Sequence, residues 1–486
     1  MMHPEQKDRK MSTLANIQAN LGSPAFRLQV RALFVLAVPI ILARAGWMFM
    51  GVVDTIMVGR FSTTELAYQS LGNNIISIAF VPMMGLMLGT LVVSSNLFGQ
   101  KRYSELGAVW RRSIPYAVFL GTIIFVMAMF AEPILLASGQ PPAMAHEAAK
   151  VMQIYGYAMP LGGLVYITSS YFLEGVKRPY TAMVLMLVAN VLNVGLNWML
   201  VYGNLGFEAM GAEGSAWATS IIRLFLTAGI VGYIWFMADA RRFGVRKPWR
   251  GGFAAWSEQR RLGYASGLSF GIEHFAFAML FVFAGVLGEL DLAAITIVFN
   301  AFALFFMVAA GIGSASAVQV GIAYGQRDSR NIAYAGWTGW SLMTVLLIIP
   351  AILMTLVPEL FARIYTADAA LIALSLPIFV LGGLGLLLDT TQTVWSNVLR
   401  GRHDKWFPTI SHFLSYMVVM LPLCWYMAFE LDRRGEGLFE GFIIASILSV
   451  SLLTGRFIYL SQQDKRSASG PVGPAIDAPA QQLAGE

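Results

Sequence analysis

After Val30 charged residues thin out, and the chain becomes a series of long apolar runs separated by short polar or Gly/Pro breaks. A helix needs about 20 apolar residues to cross the hydrocarbon core of a bilayer. Runs of that size predict twelve spans, at 32–59, 66–98, 113–137, 151–174, 180–202, 215–238, 263–288, 292–324, 335–362, 370–398, 408–429 and 438–461. Several are long enough to tilt or to project beyond the membrane. A membrane barrel would show stretches of about ten residues alternating apolar and polar, whereas AVFLGTIIFVMAMF, from Ala117 to Phe130, does not alternate. The expected fold class is therefore all-α and polytopic. Residues 1–31 are polar and mixed, with no apolar core or cleavage site of a signal peptide, and read as an N-terminal segment. Residues 462–486 are rich in Ala, Gly, Pro, Ser and Gln and are expected to stay disordered.

Composition agrees. Of 486 residues, 57% are hydrophobic and 12% charged, with a mean hydropathy of +0.64; a soluble domain carries about 25% charged residues. The single cysteine, Cys424, excludes a disulfide framework. The net charge of +6 follows topology. Eighteen Lys and Arg, among them Lys101, Arg102, Lys177, Arg178, Arg241, Arg250, Arg260, Arg327, Arg400 and Arg402, fall in or beside the even-numbered loops. Five, Arg60, Lys150, Arg363, Arg433 and Arg434, fall in the odd ones. Positive loops stay inside, so both termini are expected in the cytoplasm, and nucleic acid is dropped as a partner.

The two halves match at a constant shift of 226 residues, which pairs Leu66 with Leu292, Asn74 with Asn300, Gly85 with Gly311, Gly99 with Gly325, Gln100 with Gln326 and Gly175 with Gly401. Six helices per shift is an even number, so the halves insert the same way and are related by a pseudo-two-fold axis along the membrane normal, as in carriers built of two bundles. The expected organisation is an N-lobe at 32–238, a basic linker at 239–262 and a C-lobe at 263–461.

Ionisable side chains inside spans cost about 2.5–3.5 kcal/mol each, so they are functional by default. The clearest are Asp54 in the first helix, Glu273 in the seventh and Asp389 in the tenth. Carboxylates in a cleft can bind a coupling proton, a hard cation such as sodium, or a cationic substrate; the competing reading pairs Asp54 or Glu273 with Arg44 or Arg223. In helix 5, Asn190, Asn193 and Asn197 share one face and are placed to contact Asp54 or to glue helices together. Asn74, Asn300, Gln392 and Thr393 are candidates for lining the substrate cleft. There is no GxxxxGK[ST] loop and no HExxH, and the five histidines are scattered, so an ATPase or metalloprotease is not expected.

These residues carry a family pattern. Pro39–Phe61 with Asp54, LNVGLNWMLVYGNLG with Asn193 and Asn197, GIEHFAFA with Glu273, and LLLDTTQTVWSNVLRGRHD with Asp389 resemble the multidrug and toxic compound extrusion (MATE) transporters, most like the NorM-type bacterial branch, over about residues 30–460. The resemblance implies two six-helix lobes and export of cationic, amphipathic drugs and dyes across the bacterial inner membrane, driven by inward movement of H+ or Na+. It implies an N-lobe cation site at Asp54, Asn193 and Asn197. It implies a C-lobe site at Glu273 and Asp389, the candidate sodium site. No enzymatic activity, no cofactor beyond the coupling ion and a monomer in lipid are expected. One departure stands out: NorM-like proteins often place a tyrosine one turn before the helix-10 aspartate, and here that position is Gly385. A lipid-linked oligosaccharide flippase of related fold is the alternative; it would call for a cleft lined with Arg and Lys, whereas the intramembrane charges are mainly acidic.

Overall fold

With no water in the bilayer core, an apolar run must satisfy its own amides, and a helix does so within the segment. The computed structural model describes residues 24–248 and 252–469, and all regular structure among the described residues is helical. The spans are α1 (Pro24–Phe61), α2 (Thr63–Gly99), α3 (Tyr103–Met129), α4 (142–175), α5 (Tyr180–Leu200), α6 (Gly211–Phe236), α7 (Ser257–Leu287), α8 (Glu289–Gly325), α9 (Ser329–Leu356), α10 (Ala369–Gly401), α11 (Phe407–Glu430) and α12 (Arg434–Ser469). Eleven are long and apolar enough to cross a membrane. The exception is α4, which a π turn at Met159–Gly163 splits into Pro142–Tyr157 and Leu164–Gly175. Pro160 has no N–H for the helical ladder, so the ladder widens around it.

Several limits differ from expectation. The first helix starts at Pro24 rather than 32, and α7 starts at Ser257, inside the expected linker. The last helix runs to Ser469, into the expected tail. Its end is tied down, because Arg402 at the end of α10 donates to Asp464 at 2.8 Å and to the Leu460 carbonyl at 2.9 Å. Arg111, Arg112, Arg260, Arg261 and Arg400, counted above with the loops, lie within helices. The remainder of the expected end segments, 1–23 and 470–486, and linker residues 249–251 with Arg250 lie outside the described residues.

The repeat is visible in the backbone. Lys101 and Arg327, 226 residues apart, both take a positive φ, as do Lys177 and His403. Each closes its helix with the same wrap-around bond: Arg102 N–H to Leu97 O, Asp328 to Ala323, Arg178 to Leu173 and Asp404 to Leu399, at 2.8–3.0 Å. This cap normally favours glycine at its left-handed position; here cationic or imidazole side chains occupy it in both lobes.

The lobes meet where α1 packs on α8 and where α2 packs on α7 and α8. A Cβ on Gly99 would lie 2.1 Å from the Ile322 carbonyl, and one on Gly325 would lie 2.2 Å from that of Asn96. These are one contact repeated by the pseudo-two-fold. Small residues let membrane helices approach backbone to backbone, so the seam is shut at the end carrying Lys101, Arg102 and Arg327. Twenty-five residues earlier on the same two helices, Asn74 and Asn300 flank a cavity of about 490 Å³, lined also by Phe281, Thr296 and Phe299.

Forcing extra methyls into a packed contact costs about 1–3 kcal/mol. Gly99→Val is therefore expected to lower the apparent melting temperature of the purified protein by several degrees. Gly455→Val, where an added Cβ meets nothing within 4 Å, should leave it unchanged; equal melting curves for the two variants would contradict the close crossing.

Candidate functional site

A carboxylate that leaves water must be answered by donors or by a counter-charge. In the N-lobe, Asp54 on α1 is 5% exposed. Asn197 of α5 donates to its Oδ1 and the Thr219 hydroxyl of α6 donates to its Oδ2, both at 2.7 Å. Asn193, one turn before Asn197, is fully buried, and neither of its amide atoms has a hydrogen-bond partner among the described residues. Asn190 does not join this cluster; it donates to the Gly46 carbonyl at 3.0 Å and so ties α5 to α1. Arg223, one turn after Thr219, is buried with its guanidinium over Tyr155 and Trp47, 5.4 and 5.8 Å from the ring centres.

In the C-lobe, Asp389 on α10 is 4% exposed. Gln392 donates to its Oδ1 at 2.9 Å and the Tyr416 hydroxyl of α11 donates to the same oxygen at 3.2 Å. The Gln392 amide also donates to the Tyr416 hydroxyl, and Ser449 of α12 donates to Gln392 Oε1 at 2.7 Å. At Gly385 a Cβ would sit 3.1 Å from the Phe442 ring, so a side chain there would have to push that ring aside. The phenol that reaches Asp389 comes from α11 instead. Glu273 on α7 lies within electrostatic reach of Asp389, and its Oε2 is 3.9 Å from His412 Nδ1. His412 Nδ1 is 2.8 Å from the Ser269 hydroxyl, which accepts from the fully buried Arg400 at 2.8 Å.

Among the described residues neither Asp54 nor Asp389 forms an ion pair within 4 Å. Both are held by neutral donors alone, an arrangement that can exchange those donors for a proton or a cation. No group of three or more His, Cys, Asp or Glu is gathered among the described residues. Asp54 with its amides and the Glu273–Asp389 pair are thus the oxygen sets available to a hard cation.

The structure brings Asn197 to Asp54 and places Asn193 on the same face, and it sets Glu273 beside Asp389. Asn74 and Asn300, equivalent in the repeat, are exposed on one cavity. Gln392 is inside the C-lobe as a support for Asp389, and the Thr393 hydroxyl bonds to the Asp389 carbonyl of its own helix at 3.0 Å. Arg44 pairs neither with Asp54 nor with Glu273; its partner is Glu174, at 3.7 Å. Thr219, Tyr416, His412 and Glu174 escaped the sequence reading. The first three had a usable signal: Thr219 and Arg223, like His412 and Tyr416, stand four residues apart on one helix face.

The MatE family profile matches residues 39–199 and 265–426, two copies beginning 226 residues apart. The chain is 36% identical over 435 residues to the probable multidrug resistance protein NorM of Caulobacter vibrioides, covering 89% of this chain and 92% of that protein. It is 31% identical over 458 residues to the NorM of Mesorhizobium japonicum, covering 92% and 97%, and 28% identical over 457 residues to the multidrug resistance protein PmpM of Pseudomonas aeruginosa, covering 91% and 92%. Its fold is similar to the crystal structure of the eukaryotic MATE transporter AtDTX14, with a TM-score of 0.82 at 19% identity over 91% of this chain and 98% of that one. It is equally similar, with a TM-score of 0.82 at 17% identity over 90% and 97%, to an outward-facing multidrug resistance MATE family transporter of the MOP superfamily.

Removing one partner of a buried hydrogen bond costs about 1–3 kcal/mol. Gln392→Leu deletes its bonds to Asp389, Tyr416 and Ser449 together, and should lower the melting temperature by several degrees. Thr122→Val loses only a bond to its own helix at Val118 on an exposed face and should not. A Gln392→Leu protein as stable as the parent would dissolve the network.

Proposed function

The chain belongs to the MatE family, and from that premise we propose that it is a secondary-active multidrug exporter that exchanges cationic, amphipathic compounds for protons or sodium ions. The observation that carries this reading is a carboxylate in each lobe, Asp54 and Asp389, withdrawn from lipid and held by neutral donors without an arginine bound to it. Such a group attracts a large organic cation or a small inorganic one, but not both at once. Binding the coupling ion removes the counter-charge of the substrate, which then leaves. Occupancy of the sites biases rocking of the lobes because the two open states bind each ligand with different affinity.

The coupling ion acts at Asp54, Asn193 and Asn197 in the N-lobe and at Glu273 and Asp389 in the C-lobe. Glu273 lies 3.9 Å from His412 Nδ1 and within electrostatic reach of Asp389, and it is the less buried acid, at 18% exposure of its side chain. That makes it the entry for a proton, or a sodium ligand together with Asp389. The cavity between Asn74 and Asn300 receives the substrate, with amides and the rings of Phe281 and Phe299 as its walls. It carries no arginine, which weighs against a pyrophosphate-bearing lipid as cargo. The arginine-rich ends of the helices face the cytoplasm of a bacterial cell, in keeping with the positive-inside rule. The cavity then faces outward, and the chain works as a monomer without a cofactor.

Vesicles loaded with a fluorescent cationic dye test this reading. A pH jump and then a sodium jump should drive dye movement in one of the two cases and identify the ion. Asp54→Asn and Asp389→Asn are each expected to cut ion-driven transport at least tenfold at equal protein level, while Asn190→Ala keeps most of it. Undiminished transport by both aspartate variants would remove the carboxylates from the mechanism.

A further inference from the structure

One buried charge pair belongs to neither carboxylate cluster. Glu174, in the last turn of α4, is 4% exposed. Its Oε1 accepts from Ser170 at 3.1 Å, but Oε2 is buried without any hydrogen bond among the described residues. Arg44 of α1 approaches Oε2 no closer than 3.7 Å, and its Nη2 instead donates at 2.7 Å to the Ser314 hydroxyl of α8, in the other lobe. Arg44 Nε has no hydrogen bond either.

A buried ion pair offsets its desolvation only when its geometry is tight and its remaining lone pairs are satisfied. This one is loose, incomplete on both sides, and shared across the seam between the lobes. Its surroundings are aromatic. The guanidinium lies 5.7 Å from the centre of the Tyr171 ring, Tyr166 is close enough to feel both charges, and Tyr166 stacks on Trp47 at 6.1 Å. A carboxylate beside faces of aromatic rings is the environment that holds a flat organic cation. Here the cation is a side chain.

The position also matters. The residue after Glu174, Gly175, packs against α2 at Leu91 and Ser94, one to two turns before Gly99, where the seam is shut. If the lobes part at this end, α8 carries Ser314 away and Arg44 loses its strongest bond. Glu174 then faces the opening.

We propose that Glu174 is a third cation-accepting site, for an aromatic or amphipathic organic cation entering from the arginine-rich end, and that Arg44 fills it as a tethered substitute while that end is closed. The proposal rests on the reading that the lobes rock and carry cations. It goes beyond it by assigning the loading step to a residue outside both coupling clusters. Glu174 serves the first contact, and closure of the seam returns Arg44 to it as the substrate moves on.

The test is ethidium binding to the purified full-length chain in lipid nanodiscs, read by fluorescence polarisation. Arg44→Met removes the tethered competitor and should tighten Kd about tenfold. Adding Glu174→Gln to that variant should abolish the gain. Arg44→Lys, which keeps a cation on the tether, should bind like the parent. Ser314→Ala supplies an independent measure that does not empty the arginine position: it should tighten Kd about threefold, and that gain should likewise vanish with Glu174→Gln. A gain that survives Glu174→Gln, or no gain in either Arg44→Met or Ser314→Ala, overturns the proposal. The same series in an Asp54→Asn and Asp389→Asn background separates the two readings. There the Arg44→Met gain should persist even though coupled transport is lost, whereas a loss of coupling with no Arg44 effect would leave the exporter reading standing and remove Glu174 from it.

Discussion

How a desolvated carboxylate is answered decides what this molecule can do. A carboxylate in a helical bundle can be clamped by an arginine, and then it is a structural tie. It can also be held by amides and hydroxyls, which stabilise the anion without cancelling its charge. Asp54 and Asp389 are of the second kind. Asp54 draws its donors from two other helices, so α5 and α6 close on α1. Asp389 draws one from Gln392 of its own helix and one from Tyr416 of α11, and α12 takes part by orienting Gln392 through Ser449.

Two such bundles need a joint that holds without a dry hydrophobic drive, since lipid is as apolar as the helices. Close backbone crossing provides it. Gly99 on Ile322 and Gly325 on Asn96 bring α2 and α8 together through carbonyls rather than through interlocked side chains. Around these crossings one apolar cluster runs across both lobes, from Leu91 and Val92 to Val318 and Ile322. The same geometry leaves the opposite ends of α2 and α8 apart, and there the Asn74–Asn300 cavity forms.

Much of this was legible in the chain. Long apolar runs locate twelve spans because the bilayer imposes one length, and a gap-free shift of 226 reveals two lobes because insertions in a packed repeat are poorly tolerated. Asp54 and the face of Asn193 and Asn197 could be matched because both are strong departures from an apolar background. Glu174 was hidden by its place at the edge of a span, followed by Lys177 and Arg178, where an acid reads as part of a polar loop. Arg400 was hidden in the same way among basic neighbours, yet it is fully buried. The break in α4 was hidden because Pro160 lies in an unbroken apolar run, and hydropathy does not register a missing N–H. The cap positions of Lys101 and Arg327 carry no glycine to announce them. Tyr416, one polar handle among many aromatics, becomes informative only once the packing of α11 on α10 brings its hydroxyl to Asp389.

The repeat conserves scaffold and discards chemistry. At a shift of 226, Asp54 corresponds to Leu280, Glu273 to Trp47, Asp389 to Gly163 and Asn197 to Leu423. The caps and the glycine crossings coincide, while none of Asp54, Glu273 and Asp389 has an acidic counterpart. Glu174 and Arg400 are equivalents of opposite sign, both buried at the ends of matching helices. Two lobes that share a frame but differ in the sign and place of their buried charges are built alike and yet present different chemistry, because the caps and crossings that set the frame use backbone and glycine while the charges sit on side chains that the frame does not constrain.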